Sequence, residues 1–238
     1  MGASSTSISD RIAEYAVSFT LDDVPAPTVA YAKTLLLDLL GAALAGVDTD
    51  EGRAAISTIK AFGSGGAASV WRAGLTSNPA HAALANGTIA HAQELDDFGG
   101  CDHSGAVVVP AILAIAEAGK IRDGRHFLEA MILGYEFGVR AMDAFGGYRA
   151  CNNLGWHSTA ICGSIGAAVA AAKMLGLNQA KTRDAIGHAG NIAGGTWSFL
   201  ADGAMAKRVN AGKAAENGVL SAYLAANGMT GPRYVFEA

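Results

Sequence analysis

Between Ser158 and Leu175 the chain runs through Gly163, Gly166, Ala167, Ala168, Ala170, Ala171 and Ala172, with Lys173 as the only charge. This run limits what the chain can become. Small residues let neighbouring backbones approach closely, so the stretch reads as a buried helix at the centre of a dense, multi-layer helical bundle. It is also the most apolar candidate for a membrane span, and Lys173 near its end favours burial inside a soluble fold.

Helical start and stop signals recur along the rest of the chain. Ile12, Tyr15, Ala16 and Phe19 follow Ser9-Asp10 at helical spacing, and Pro25 and Pro27 open a second helix carrying Val29, Leu36, Leu37, Leu40 and Leu44 that Gly46 closes. A third helix is predicted over Asp50 to Phe62, stopping at Gly63-Ser64-Gly65-Gly66. Ala68 to Trp71 is the one segment that reads as extended. Asn78-Pro79 starts a helix carrying His81, Leu84, Thr88 and His91, and Pro110 restarts helix beyond the loop that follows. Asp123 caps a long helix through Phe145. Further helices are predicted over Trp156 to Leu175, Asn178 to Ala193 and Ala211 to Asn227, with Gly176 and Gly228 as C-caps. The expected class is all-α: residues 1–8 form a polar tail and residues 9–238 a single helical domain.

Half the residues are apolar, so 238 residues suffice for a substantial core. A net charge of -4 without runs of like charge offers no footprint for nucleic acid or an anionic membrane, which leaves a small molecule as the expected partner. Cys101, Cys151 and Cys162 form no C-x-x-C pair, a usage that fits a reducing compartment, with the cytoplasm expected. Met1 to Thr6 matches a myristoylation pattern, but no polybasic patch or second lipid site follows it. No signal peptide is expected.

Charge is scarce at 16%, yet Glu94, Asp96, Asp97, Asp102 and His103 crowd one glycine-punctuated loop between apolar helices. Carboxylates plus imidazole suit divalent ions, but the spacing matches no metal motif of defined geometry, and no metal is expected. Two readings stay open. In one, His103 moves a proton while an aspartate orients its ring; in the other, Asp97 and Ser104 merely satisfy helix-end amides. His157 stands at the first turn of the alanine-rich helix, where a helix N-terminus favours anions, although a histidine beside Trp156 also reads as structural. Lys207 and Arg208 follow a small-residue loop, and two adjacent cations can clamp a polycarboxylate. His81 and His91, ten residues apart, face directions about 80° apart and read as structural, as do His126 and His188. The glycine clusters lack the strand-then-helix context of a phosphate loop, so no nucleotide is expected.

Several segments, in this order, resemble the MmgE/PrpD family: Leu36-Leu37-Asp38-Leu39-Leu40-Gly41, Ala85 to His91 running into Glu94-Leu95-Asp96-Asp97, His103 to Pro110, Trp156-His157-Ser158-Thr159, Ala170 to Leu177, and Met205-Ala206-Lys207 leading to Ala211 to Ala215. The resemblance implies an all-helical domain, a homodimer, no obligatory metal or organic cofactor, and lyase or isomerase chemistry on small polycarboxylates such as 2-methylcitrate or aconitate. It places His103, Asp97, His157 and Lys207 in catalytic roles, with Glu94, Asp96 and Arg208 binding substrate. In the implied mechanism Lys207 and His157 neutralise substrate carboxylates while His103 transfers the proton. Phe98 and His103-Ser104 depart from the family's small hydroxyl and His-Pro, which implies a different substrate from the best-known members. The family continues past Gly228 to Pro232 into a smaller α+β lid domain, whereas this chain ends at Ala238. A lid carried on a partner chain or lost in truncation is therefore expected, or else a truncated helical dimerisation and binding scaffold without turnover.

Overall fold

The computed structural model describes residues 6–120 and 123–238. The myristoylation pattern falls mostly on residues 1–5, outside the described residues. In chain order the helices are α1 (Ile8–Ser18), α2 (Ala26–Gly46), α3 (Asp50–Phe62), α4 (Pro79–His91), α5 (Ser104–Ile115), α6 (Gly124–Ala144), α7 (Gly147–Asn153), α8 (Ser158–Met174), α9 (Gln179–Ile192) and α10 (Ala206–Ala226). Short polar side chains set most of their starts. Ser7, Thr49, Asn78, Asp123 and Asn178 each accept a first-turn amide of the helix they precede. Gly176 and Gly228 adopt φ of +65° and +93° just past α8 and α10, the left-handed conformation that ends a helix.

Four local expectations need correction. The first helix begins at Ile8 with a Ser7 capping box, so it reaches into the segment expected as a tail. The extended segment Ala68–Val70 has a partner, Leu75–Ser77, and the two form an antiparallel hairpin, β1 and β2. Buried Asn86 fastens that hairpin to α4, donating to the Ser69 carbonyl and accepting from the Trp71 amide, each at 2.9 Å. Helix α5 starts at Ser104, six residues before Pro110, because Asp97 accepts the Gly105 amide and burial on nearly every side holds the turn that proline would otherwise weaken. Helix α10 starts at Ala206, so Lys207 and Arg208 belong to its first turn.

Helices α5, α8 and α10 form the centre. Helix α8 packs against α5, α6, α9 and α10, while α10 also packs along α4. The small residues make this possible, as shown by what an added methyl would meet. A Cβ on Gly212 would lie 2.1 Å from the Leu84 carbonyl oxygen, one on Gly166 2.4 Å from that of Gly134, and one on Gly218 2.4 Å from the Ala167 side chain. Helix α2 is long and apolar enough to cross a bilayer by length and composition alone, but it packs on α4, α5 and α6. Its outer side leaves Tyr31, Leu37 and Leu44 exposed.

Candidate active site

The N-termini of the three central helices meet at one end of the bundle, where the C-terminal end of α4 also arrives. From His91 the chain turns back at Glu94 (φ +52°) and enters α5 through Asp102 (φ +95°). Left-handed backbone is costly for residues other than glycine, and of the three instances among the described residues two, Glu94 and Asp102, fall among the acidic loop's charged groups, the third being Arg72 at the hairpin.

Asp96 joins two imidazoles. Its Oδ1 lies 3.0 Å from His91 Nδ1 and its Oδ2 3.0 Å from His103 Nδ1, and the two rings are 4.2 Å apart. All three side chains are buried. Burial alone would raise the Asp96 carboxyl, but the hydrogen bonds from His103 and His91 hold it well below the usual carboxylate range. An ionised Asp96 makes both Nδ1 atoms donors, so each ring's exchangeable chemistry moves to Nε2. Burial pulls both rings down. For His103 the hydrogen bond and charge of Asp96 outweigh it, and the ring ends above the ordinary histidine range. For His91 burial wins, and its Nε2 is buried without a hydrogen-bond partner among the described residues.

Asp102 reaches the next helix, accepting from Ser158 Oγ at 3.1 Å and Thr159 Oγ1 at 3.3 Å in the first turn of α8. Its Oδ1 lies 3.8 Å from His103 Nε2. Asp97 behaves differently from its neighbour. It accepts from the Gly105 amide at 3.1 Å and the Tyr135 hydroxyl at 3.2 Å, and its burial, with the charge of Asp96, pushes its carboxyl up to about 6. Two adjacent aspartates thus differ in protonation behaviour because one has two imidazole donors and the other has none.

His157 is fully buried at the start of α8, its ring packed on Trp197 and Phe199. The Asn210 side-chain amide donates to His157 Nδ1 at 3.1 Å, which leaves the proton on Nε2, and that atom has no partner among the described residues. Burial first, then the charges of His91, Lys207 and His103, pulls its pKa down to about 3. His157 is therefore neutral near pH 7 and offers a hydrogen-bond donor at Nε2 and not a charge. Lys207 Nζ donates to Glu94 Oε2 at 2.5 Å and Arg208 Nη1 pairs with Glu94 Oε1 at 2.9 Å. Partial burial works to raise Glu94, yet its hydrogen bond and attraction to Lys207 bring it below its usual value.

The structure thus brings together the site residues singled out in the sequence. Asp96 has its side chain fully enclosed and is bonded to two histidine rings, while Arg208 is tied to Glu94 and the Ala92 carbonyl. Of the two readings of the loop, capping is visible at Asp97, which accepts the Gly105 amide at the start of α5, while Ser104 Oγ accepts the Cys101 amide within the loop and not a helix-end amide. His91 and Tyr135 were not found from sequence. Comparing His91 with His81 on one helix could not reveal Asp96, which sits across the turn at Glu94, and Tyr135 arrives on α6. His81, His126 and His188 make local or backbone contacts elsewhere, to Asn78, the Lys173 carbonyl and the Met229 carbonyl. His91, Asp96 and His103 bring donor atoms within 4.8 Å of one another, a spacing open to a divalent ion, but Asp96 already accepts both Nδ1 protons, and an ion using those atoms would displace them. A surface groove of about 920 Å³ between α2 and the hairpin holds none of these groups.

A family model described as the MmgE/PrpD N-terminal domain matches residues 10–238. The cis-aconitate decarboxylase-like protein oryM of Aspergillus oryzae is 36% identical over 223 residues, covering 90% of this chain and 46% of that protein. The cis-aconitate decarboxylase of Aspergillus terreus is 34% identical over 236 residues, covering 97% and 48%, and the human cis-aconitate decarboxylase is 29% identical over 210 residues, covering 86% and 43%. The chain spans about half the length of the curated relatives it matches.

Proposed function

The chain belongs to the MmgE/PrpD family, and from that premise we propose that its helical domain carries a lyase site for a small polycarboxylate of the cis-aconitate type, working by acid-base chemistry without a cofactor. The observation that carries the reading is the pairing of a proton-bearing group, His103 held by Asp96, with anion-binding groups at three converging helix N-termini. Lys207, released from Glu94, and the unpaired Nε2–H of His157 hold substrate carboxylates. Loss of carbon dioxide from an unsaturated polycarboxylate leaves an electron pair spread over the alkene and a remaining carboxylate. Lys207 stabilises that charge, and the Nε2–H of His103 supplies the proton that completes the product.

The test is turnover followed by NMR with cis-aconitate, citrate-like and aminodicarboxylate acids, EDTA present. Decarboxylation of cis-aconitate that survives EDTA and disappears in Lys207→Ala supports the proposal, whereas activity abolished by the chelator contradicts it.

A second reading, a helical dimer that binds the acid without turnover until a lid-bearing partner covers it, has its own support. Leu95, Phe98, Leu154, Leu200 and Met205 are exposed apolar residues in the segments that flank the site, and Tyr31, Leu37 and Leu44 expose an apolar side of α2 suited to a second copy. Binding of cis-aconitate by calorimetry with no product by NMR distinguishes it.

A further inference from the structure

We propose that His91 is a positioning residue for the proton-transfer step: by donating its Nδ1–H to Asp96 it clamps the carboxylate against His103 and shares its charge, so that Asp96 orients His103 without binding its proton too tightly to be released. The inference rests on His103 as the proton-transfer group. Three observations carry it. Asp96 faces both imidazoles: His91 Nδ1 lies 3.0 Å from Oδ1 and 3.3 Å from Oδ2, and His103 Nδ1 lies 3.0 Å from Oδ2, so His91 draws on the same oxygen that holds His103 as well as on the other. The Asp96 side chain is fully enclosed, so with His91 removed its second oxygen would face no solvent and turn its whole charge on His103. Finally, the 4.2 Å separation of the rings makes two imidazolium ions in one buried unit unfavourable, so a single exchangeable positive charge resides in the pair.

The charged and titratable groups facing this unit come from four directions. Asp96, Asp97 and Asp102 lie on the loop, with Glu94 at the turn before it; the Tyr135 hydroxyl reaches Asp97 from α6; His157 stands at the head of α8; and Lys207 comes from α10. The aspartates stabilise protonated His103, and Lys207 opposes it. His91 is neutral among them, its pKa lowered first by burial. It acts through its donor and not through charge, which yields an asymmetric expectation for substitutions. An asparagine at 91 can place its amide N–H near the position of Nδ1 and keep the clamp. A leucine fills the space and removes the donor.

The experiment is an NMR titration of the His103 ring in wild type, His91→Asn and His91→Leu, with the pH dependence of turnover measured alongside. In His91→Leu the His103 midpoint should rise by roughly one pH unit, kcat should fall about tenfold or more near neutral pH, and KM should stay within about twofold. His91→Asn should restore the midpoint and most of kcat. An unchanged or lowered midpoint in His91→Leu overturns the proposal, and so does a leucine variant that outperforms the asparagine variant, the order expected if His91 only packs. Because the titration reads His103 directly, it answers even in a chain that turns over no substrate, and absent turnover alone would count against the functional reading and not against the clamp.

Discussion

At the scale of single residues, the site shows how sequence neighbours are driven to opposite behaviour by their hydrogen-bond donors. Asp96 is held low by two imidazoles, while Asp97 is buried against its charge and raised to about 6. The folded state therefore binds the Asp97 proton more tightly than the unfolded chain does. Stability from this group is full below the ordinary aspartate pKa and is lost as pH rises through about 6, for a total of roughly 2–3 kcal/mol. Asp97→Asn keeps the acceptor for Gly105 and Tyr135 without the charge. Its melting temperature should exceed that of wild type at pH 8, and the difference should vanish near pH 4; equal melting curves at both pH values would refute the assignment. Asp102 combines a left-handed backbone with two accepted hydroxyl bonds. Asp102→Ala should lose about 2–3 kcal/mol by chemical denaturation, since Ser158 and Thr159 are left buried and unpaired. Asp102→Gly should be less damaging by about 1 kcal/mol because it relieves the backbone.

At the scale of elements, most of the fold was legible in the sequence for a local reason: caps and breakers act within one turn. Asn78, Asp123 and Asn178 mark real helix starts and Gly176 and Gly228 real ends. The misjudged starts, at Ser104 and Ala206, are those whose stabilisation arrives from elsewhere in the chain: Asp97 caps α5 from across the loop, and Lys207 is drawn to Glu94 across 113 positions. The second strand escaped for the same reason, since Asn86 on α4 holds its hairpin. Site membership followed the same divide. His103 and Lys207 are visible in their motifs, whereas His91 and Tyr135 join only through the turn at Glu94 and the packing of α6. Close helix approach carries its own expectation. Gly212→Ala places a methyl 2.1 Å from the Leu84 carbonyl oxygen and 2.4 Å from Thr88 Oγ1, so α4 and α10 must separate. It should destabilise the domain by about 3 kcal/mol or more in urea, and Gly41→Ala, with open space around it, should cost less than about 0.5 kcal/mol.

At the scale of the molecule, the bundle acts as a frame that points three helix N-termini at one place and brings the α4 C-terminus and its acidic loop against them. This arrangement concentrates favourable potential for an anion where the chain also holds His103 against Asp96. In the proposed reaction His103 delivers a proton to a polycarboxylate bound by Lys207. Incubating the protein with cis-aconitate in D2O, and following deuterium in the product by NMR for wild type, His103→Ala and Lys207→Ala, reads that step. Wild type should place one deuteron at carbon, His103→Ala should lose at least about a hundredfold, and the loss in Lys207→Ala should include weaker binding. Deuterium incorporated by His103→Ala at the wild-type rate would rule out His103 as the donor.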